Sequence, residues 1–184
     1  HFLYNTLESI NMMAVQRHAF ELSGVVSDLG KLLRYTVDKR QTSVRLLDEI
    51  RFVESYLRIQ QLRCGDRLRT EIFIDPSLLT ALVPKLILQP FLENVIEHAL
   101  LMDSVTVVLR GRLDGDDLLL SVEDDGAGMD ETAAALVRER MHAPRNNQLE
   151  KQEFGQRTHG YALRNVHQRI RLLYGEGYGV TMDE

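Results

Sequence analysis

The chain has 184 residues, of which 44% are apolar and 27% are charged, a balance that is typical of a soluble globular protein. Its 22 basic and 27 acidic side chains give a net charge of −5, which argues against the basic surface that nucleic-acid binding requires. A single cysteine, Cys64, excludes an intrachain disulfide and fits a reducing compartment such as the cytoplasm. No apolar run approaches the roughly 18 residues of a membrane-spanning helix, so no membrane contact is expected from this stretch.

Apolar residues recur at helical spacing through the first 38 residues, which predicts one long amphipathic helix. A short polar stretch separates it from a second helical series between Leu46 and Cys64, so the two helices are expected to form an antiparallel hairpin. Because two helices alone bury little apolar area, we expect a second copy to complete a four-helix bundle, which makes the protein a homodimer. The chain opens at His1, inside the helical pattern, and is expected to be part of a longer protein.

From residue 66 the pattern changes to that of a mixed helix and sheet domain. Alternating polar and apolar residues predict a strand over 67–75. Pro84 is expected to open an apolar helix to about Leu101, which Pro90 bends or restarts. The sequence further predicts a hairpin of strands 105–113 and 118–123, a helix over 130–141, a loop over 143–159, a helix over 160–174 and a last strand from Val180 to Asp183.

A glycine-rich turn follows the second strand of the hairpin. In the run DDGAGM, Asp124 stands at the end of a strand, and Gly126 and Gly128 allow the backbone to come close to a planar ligand. Asp124 is therefore a candidate acceptor for an exocyclic amine. The same pattern is common in tight turns with solvated aspartates, so it needs support from other motifs.

Support comes from the preceding helix, in the run LQPFLENVIEHAL. Asn94 and His98 lie four residues apart and share one face, with Glu93 beside them. The amide oxygen of Asn94 is a suitable ligand for Mg²⁺, which takes most of its other ligands from water and phosphate. The alternative for each residue alone is a place on a solvated helix face.

Two further candidates involve phosphate chemistry. Gly160 precedes a helix whose first-turn N–H groups can meet phosphate oxygens, and Arg164 can add a positive charge there. His1 lies on the first helix, where a neutral imidazole can act as a nucleophile toward a phosphoryl group. Each feature alone is commonly without function.

In chain order, the motifs HFLYNTL, LLRYTV, YLRIQQLR, LQPFLENVIEH, DDGAGM and GYALRNVHQRI resemble those of the LytS/YesM-type sensor histidine kinases of bacterial two-component systems. The resemblance covers nearly the whole chain. It implies an α+β protein in which a dimerisation and phosphoacceptor hairpin, residues 1–65, precedes a GHKL-type α/β sandwich that binds ATP, residues 66–184, without its final strands. It also implies the cytoplasmic portion of a membrane-anchored sensor that autophosphorylates and passes its phosphoryl group to a response-regulator receiver domain.

The resemblance assigns roles to individual residues. His1 corresponds to the phosphoacceptor, Asn94 to the Mg²⁺ ligand and Asp124 to the carboxylate that binds adenine. Glu93 is expected to order the attacking imidazole or a water, and residues 131–159 correspond to a lid over Mg-ATP. The other nucleotide-binding positions are His98, Gly126, Gly128, Gly160, Leu163, Arg164 and Asn165.

Two other functions fit the same residues. One is an ATPase or a Ser/Thr kinase on the same nucleotide fold, which would need no histidine on the dimer helix. The other is a non-catalytic dimerisation module with a decayed nucleotide site. Ala162, which stands where the family commonly has a second glycine, leaves room for that module, whereas Asn94, Asp124, Gly126 and Gly128 together argue against it.

Overall fold

A computed structural model of the chain describes residues 1–38, 40–99, 103–142 and 161–182. These residues form two compact units, His1–Gly126 and Ala127–Glu184, and the chain is α+β, as predicted. No helix in the described ranges is long and apolar enough to cross a membrane. The helices are α1 (Phe2–Gln16), α2 (Phe20–Val37), α3 (Leu46–Cys64), α4 (Gln89–Ala99), α5 (Glu131–His142) and α6 (Tyr161–Tyr174); the strands are β1 (Ser43–Arg45), β2 (Leu68–Ile74), β3 (Leu82–Pro84), β4 (Val105–Asp114) and β5 (Asp117–Asp124).

The predicted single helix over the first 38 residues is wrong. The chain breaks between α1 and α2, where His18 adopts a positive φ of 56° that no continuous helix contains. Apolar periodicity misses this break because the spacing of apolar residues continues on both sides of it. The helical spacing itself is confirmed, since every residue from Phe2 to Gln16 and from Phe20 to Val37 is helical.

α1 folds back along α2. The Ser23 hydroxyl donates to Asn11 Oδ1 at 2.6 Å, and the guanidinium carbon of Arg34 lies 5.8 Å from the centroid of the Tyr4 ring. The start of one helix therefore lies beside the end of the other, so the pair is antiparallel. Ala14 on α1 is only 3% exposed as a result.

α2 and α3 form the antiparallel pair that the sequence predicts. Near their middle, Arg58 Nε donates to Asp28 Oδ2 at 2.8 Å, and at the other end the rings of Tyr35 and Phe52 lie 5.0 Å apart. Asp28 is 7% exposed. A buried carboxylate of this kind requires a charged partner, which Arg58 supplies.

The main sheet has the order β2-β4-β5, with β2 parallel to β4 and β4 antiparallel to β5. All three strands lie at their predicted positions, and Gly115, with a φ of 64°, makes the tight turn of the β4–β5 hairpin. Alternate residues of β4 are buried, and α4 packs against β4 and β5. The sheet thus supports the helix that carries Asn94.

The structure contains a second sheet that the sequence pattern does not predict. β1 pairs with β3 in antiparallel register, and each has three residues, too few for a period of two to be recognised. Pro84 ends β3 and does not open a helix, so that prediction is wrong. α4 begins at Gln89 instead, and Pro90 sits in its first turn, where a missing N–H costs no hydrogen bond.

In the second unit, α5 and α6 pack against each other at their predicted positions. The predicted loop over 143–159 lies outside the described residues. The predicted last strand is wrong over 180–182, because the Val180 N–H donates to Nδ1 of His167 on α6 at 3.0 Å and no strand forms. The predicted domain boundary after residue 65 lies within the first unit and stays a prediction.

Candidate functional site

α4 presents Asn94 on its partly exposed side. Leu92 and Ile96, at 0% and 3% exposure, anchor the opposite side of the helix. Asn94 is half-buried, and Glu93 beside it is exposed and accepts a hydrogen bond from Gln89 Nε2 at 2.6 Å. The side chain of His98 lies outside the described residues.

Asp124 ends β5 at the exposed edge of the sheet. Its Oδ1 accepts the Gly126 N–H at 3.0 Å, which closes a turn directly after the strand. Gly128 follows with a φ of 67°, a left-handed conformation that favours glycine. A carboxylate that is exposed and held at one oxygen can still accept a hydrogen bond from a ligand amine.

Asp125, by contrast, binds its own sheet. Its Oδ1 accepts the Thr106 N–H at 2.5 Å, and its own N–H donates to the Thr106 carbonyl at 3.3 Å. The backbone and side-chain hydrogen bonds from Thr106 hold the pKa of the Asp125 carboxyl below its usual range. Sequence reasoning gave Asp125 no role, yet this residue ties the glycine turn to β4.

Asn94 and Asp124 therefore belong to elements of one unit that pack together, since α4 contacts β5. This is the pairing that the two motifs predict. His1 lies apart in sequence, at the exposed start of α1.

The His1 ring has one described side-chain partner. The Asn5 amide nitrogen lies 3.2 Å from His1 Nδ1, and the Asn5 N–H donates to the His1 carbonyl at 3.1 Å. Because the amide engages Nδ1, Nε2 is the ring nitrogen left toward solvent for an incoming group. Asn5 follows His1 by four residues, so both lie on one face of the helix, and this spacing is the sequence signal for the contact.

The remaining predicted residues lie at the start of α6, in the second unit. Leu163 and Arg164 are 6% and 4% exposed, whereas Asn165 is exposed. Since the Leu163 side chain is used in packing, a ligand would meet this turn through the backbone N–H groups of the first helical turn. Gly160 lies outside the described residues.

The donor set fits Mg²⁺ bound together with phosphate. Within the described ranges, no group of three or more His, Cys, Asp or Glu residues could cage a metal. Mg²⁺ usually takes one or two protein oxygens and completes its shell with water and phosphate, so a single amide oxygen such as that of Asn94 fits this ion.

An exposed aspartate before a glycine turn and an amide on the helix that packs against the same sheet form a candidate nucleotide site. Residues 81–182 match the family model described as histidine kinase-, DNA gyrase B-, and HSP90-like ATPase, and residues 1–68 match the one described as histidine kinase. The chain belongs to the histidine kinase-, DNA gyrase B- and HSP90-like ATPase family. The resemblance to LytS/YesM-type sensor histidine kinases is confirmed.

Among curated relatives, the sensor histidine kinase YesM of Bacillus subtilis is 34% identical over 99% of this chain and 29% of its own length. The sensor protein kinase HptS of Staphylococcus aureus is 27% identical over 95% of this chain and 32% of its own length. The chain thus spans about a third of the curated relatives it matches. A solved histidine kinase domain from Erythrobacter litoralis is 21% identical with a TM-score of 0.38, over 71% of this chain and 74% of that one.

Proposed function

We propose that this chain is the kinase core of a sensor histidine kinase, which binds Mg-ATP, phosphorylates His1 and passes the phosphoryl group to a response-regulator aspartate. The observation that carries the proposal is the exposed Asp124 at the end of a strand that packs against the Asn94 helix. The proposal extends to a homodimer built on the helical hairpin and to a cytoplasmic position in a membrane-anchored protein.

Each site residue has a distinct task. Asp124 accepts a hydrogen bond from the adenine amine, and Gly126 and Gly128 let the base approach the backbone. Asn94 supplies an amide oxygen to Mg²⁺, which when bound neutralises charge on the phosphate oxygens. By the motif match, Gly160, Leu163, Arg164 and Asn165 are the positions assigned to the phosphates, and His98 is assigned to the nucleotide.

The chemical step is an in-line displacement. The ring attacks in the tautomer that carries its proton on Nδ1, which the Asn5 side chain accepts when its amide turns to present the oxygen. The lone pair of His1 Nε2 then forms a bond to the γ-phosphorus as the bond to the bridging oxygen breaks, and ADP leaves with that electron pair. The Nδ1 proton of the ring is then lost to water, and Glu93 orders the imidazole. In the second transfer, Nδ1 takes up a proton from water, a carboxylate oxygen of the regulator attacks the phosphorus, and the P–N bond breaks with its electron pair returning to Nε2.

The test is incubation of the protein in its full natural length with γ-labelled ATP and Mg²⁺. We expect an acid-labile, base-stable label in the wild type. His1→Gln should remove the label and keep ATP binding, whereas Asp124→Asn should remove both, and His18→Gln serves as the matched histidine control on the hairpin.

The other outcomes separate the alternatives. An acid-stable label, or label retained in His1→Gln, would indicate a Ser/Thr kinase or a different acceptor. Hydrolysis of ATP without any label would indicate an ATPase. A dimer that binds no Mg-ATP would indicate a non-catalytic module.

A further inference from the structure

Glu49 is the most deeply buried charged side chain in the described ranges, with 0% exposure in the first turn of α3. Its two oxygens accept the backbone N–H groups of Leu86, at 2.7 Å, and Ile87, at 3.0 Å. The hydroxyl of Tyr35, on α2, donates to the same carboxylate. Three donors from two distant parts of the chain therefore satisfy one buried group, which would be strongly disfavoured without them.

The segment that Glu49 holds leads directly into α4. Leu86 has a φ of 57°, a left-handed conformation that is unfavourable for leucine, and Ile87 and Leu88 are buried. The Leu88 carbonyl then accepts the Leu92 N–H at 3.3 Å and starts the helix. The hydrogen bonds that Glu49 accepts hold this strained turn, which comes directly before α4.

The same segment is tied to the end of α2. The Lys85 ammonium lies 4.7 Å from the centroid of the Tyr35 ring and donates to the Asp38 carbonyl, while the Lys85 N–H donates to Thr42 at 3.0 Å. Burial, followed by the hydrogen bond to Glu49, raises the pKa of Tyr35, so its hydroxyl stays a donor. Tyr35 thus contacts both the α3 carboxylate and the segment before α4.

We propose that Tyr35 and Glu49 are positioning residues that couple the α2–α3 pair to α4 and so set the affinity for Mg-ATP. The inference rests on the proposed function, in which Asn94 on α4 binds the nucleotide through Mg²⁺. Neither residue is among the positions assigned to the nucleotide. Movement of α2 along α3 would withdraw the Tyr35 hydroxyl, weaken the hold on Leu86 and Ile87, and shift the start of α4.

Tyr35→Phe is the sharpest test because it removes one hydroxyl and keeps the ring against Lys85 and Phe52. The dissociation constant for Mg-ATP is measured by calorimetry on the full-length protein, with KM and kcat for autophosphorylation. We expect affinity to weaken by about 2- to 30-fold, the range of coupling effects, and KM to rise while kcat at saturating ATP stays near the wild-type value.

Arg58→Gln is the matched control, because it loosens the same α2–α3 pair at Asp28 without touching the segment before α4. We expect it to lower the unfolding midpoint and to leave the affinity for Mg-ATP unchanged. Glu49→Gln replaces one carboxylate oxygen with an NH2 group, which cannot accept the N–H of Leu86 or Ile87. This variant should weaken the binding of Mg-ATP more than Tyr35→Phe does, and it should speed hydrogen exchange at both amides.

The coupling is refuted if the wild type binds Mg-ATP and Tyr35→Phe binds it equally well. It is also refuted if Arg58→Gln weakens binding as much as Tyr35→Phe does, since the effect would then follow general stability. A wild type that binds no Mg-ATP overturns the proposed function itself, and the coupling with it.

Discussion

Asp125 accepts the backbone N–H of Thr106 at 2.5 Å, across the junction between β4 and the glycine turn. Asp124, one residue earlier, accepts a local bond from Gly126 at 3.0 Å and stays exposed. Two adjacent aspartates therefore have different tasks. One holds the turn on the sheet, and the other is available to a ligand.

Because Asp124 and Asp125 have different tasks, we expect substitutions at these two positions to have different effects on ATP binding and on stability. Asp124→Asn should abolish Mg-ATP binding and leave the unfolding midpoint unchanged. Asp125→Ala should lower the free energy of unfolding by about 0.5 kcal/mol, the low end for a hydrogen bond because the group is exposed, with a smaller loss of ATP affinity. Calorimetry and urea unfolding measure both effects, and a reversed order of affinities would contradict the assignment.

The Asp28–Arg58 ion pair predicts how the hairpin responds to acid. The hydrogen bond from Arg58, opposed by burial and assisted by Lys31, lowers the pKa of Asp28 to about 2. A carboxyl whose folded pKa is depressed contributes stability that is present above its unfolded pKa of about 4 and is lost as pH falls toward 2. The half-exposed Arg58 reduces the contribution, which we place at about 1–2 kcal/mol.

Asp28→Asn isolates this contribution, because asparagine is the neutral analogue of the protonated acid. Urea unfolding at pH 7 should show the variant less stable by about 1–2 kcal/mol, and roughly half of that difference should be gone by pH 3. Ser55→Ala, which removes a weaker 3.3 Å contact to Asp28, is the control. A difference that does not change with pH would mean that packing and not charge is responsible.

The close packing of Gly179 against His167 predicts that a side chain at position 179 would clash. It has a φ of 156°, and a Cβ there would lie 2.6 Å from Cε1 and 2.7 Å from Nδ1 of the rigid His167 ring. Gly179→Ala should therefore cost about 1–3 kcal/mol and break the Val180 hydrogen bond. At Gly177 a Cβ would meet nothing within 4 Å, so Gly177→Ala should change stability by less than about 0.5 kcal/mol. Equal thermal midpoints for the two variants would contradict this packing.

The burial of His167 predicts that the stability of the second unit depends on pH near neutrality. Burial, with a smaller contribution from His142 at a ring distance of 4.7 Å, lowers the pKa of His167 below 6.5. The neutral ring is therefore the stable form, and its stabilisation is present above pH 6.5 and lost as pH falls through the folded pKa. NMR titration should find the His167 midpoint below 6.5. His167→Gln should reduce the loss of stability between pH 7.5 and pH 5.5, whereas the control variant His18→Gln should lose as much stability as the wild type does. An NMR midpoint for His167 above 6.5 would contradict the burial argument.

Local pattern predicts much of this fold. The alternation in β2 and the hairpin of β4 and β5 around Gly115 are predicted correctly, because a half-buried strand and a tight hairpin depend on neighbouring residues alone. α3 and α6 are predicted correctly for the same reason. The site residues, from His1 to Asn165, were assigned by motif, and their roles stay predictions that the experiments above address.

The residues that join these elements are harder to predict. Glu49 lies on the apolar face of α3, three residues after Leu46 and four before Val53. A charged residue at such a position indicates, from the sequence alone, a buried group that needs hydrogen-bond partners. Its partners Leu86 and Ile87 lie 37 and 38 residues away, and nothing local indicates them.

The sequence by itself determined the α+β class, the hairpin sheet, the apolar helix faces and the nucleotide motifs, because each depends on residue type at short spacing. Only the tertiary structure decided that α1 folds back at His18, that β1 pairs with β3, and that Tyr35 and Glu49 hold the start of α4. These features depend on contacts between residues far apart in the chain. Their energy comes from burial and from satisfying buried polar groups, which local periodicity does not encode.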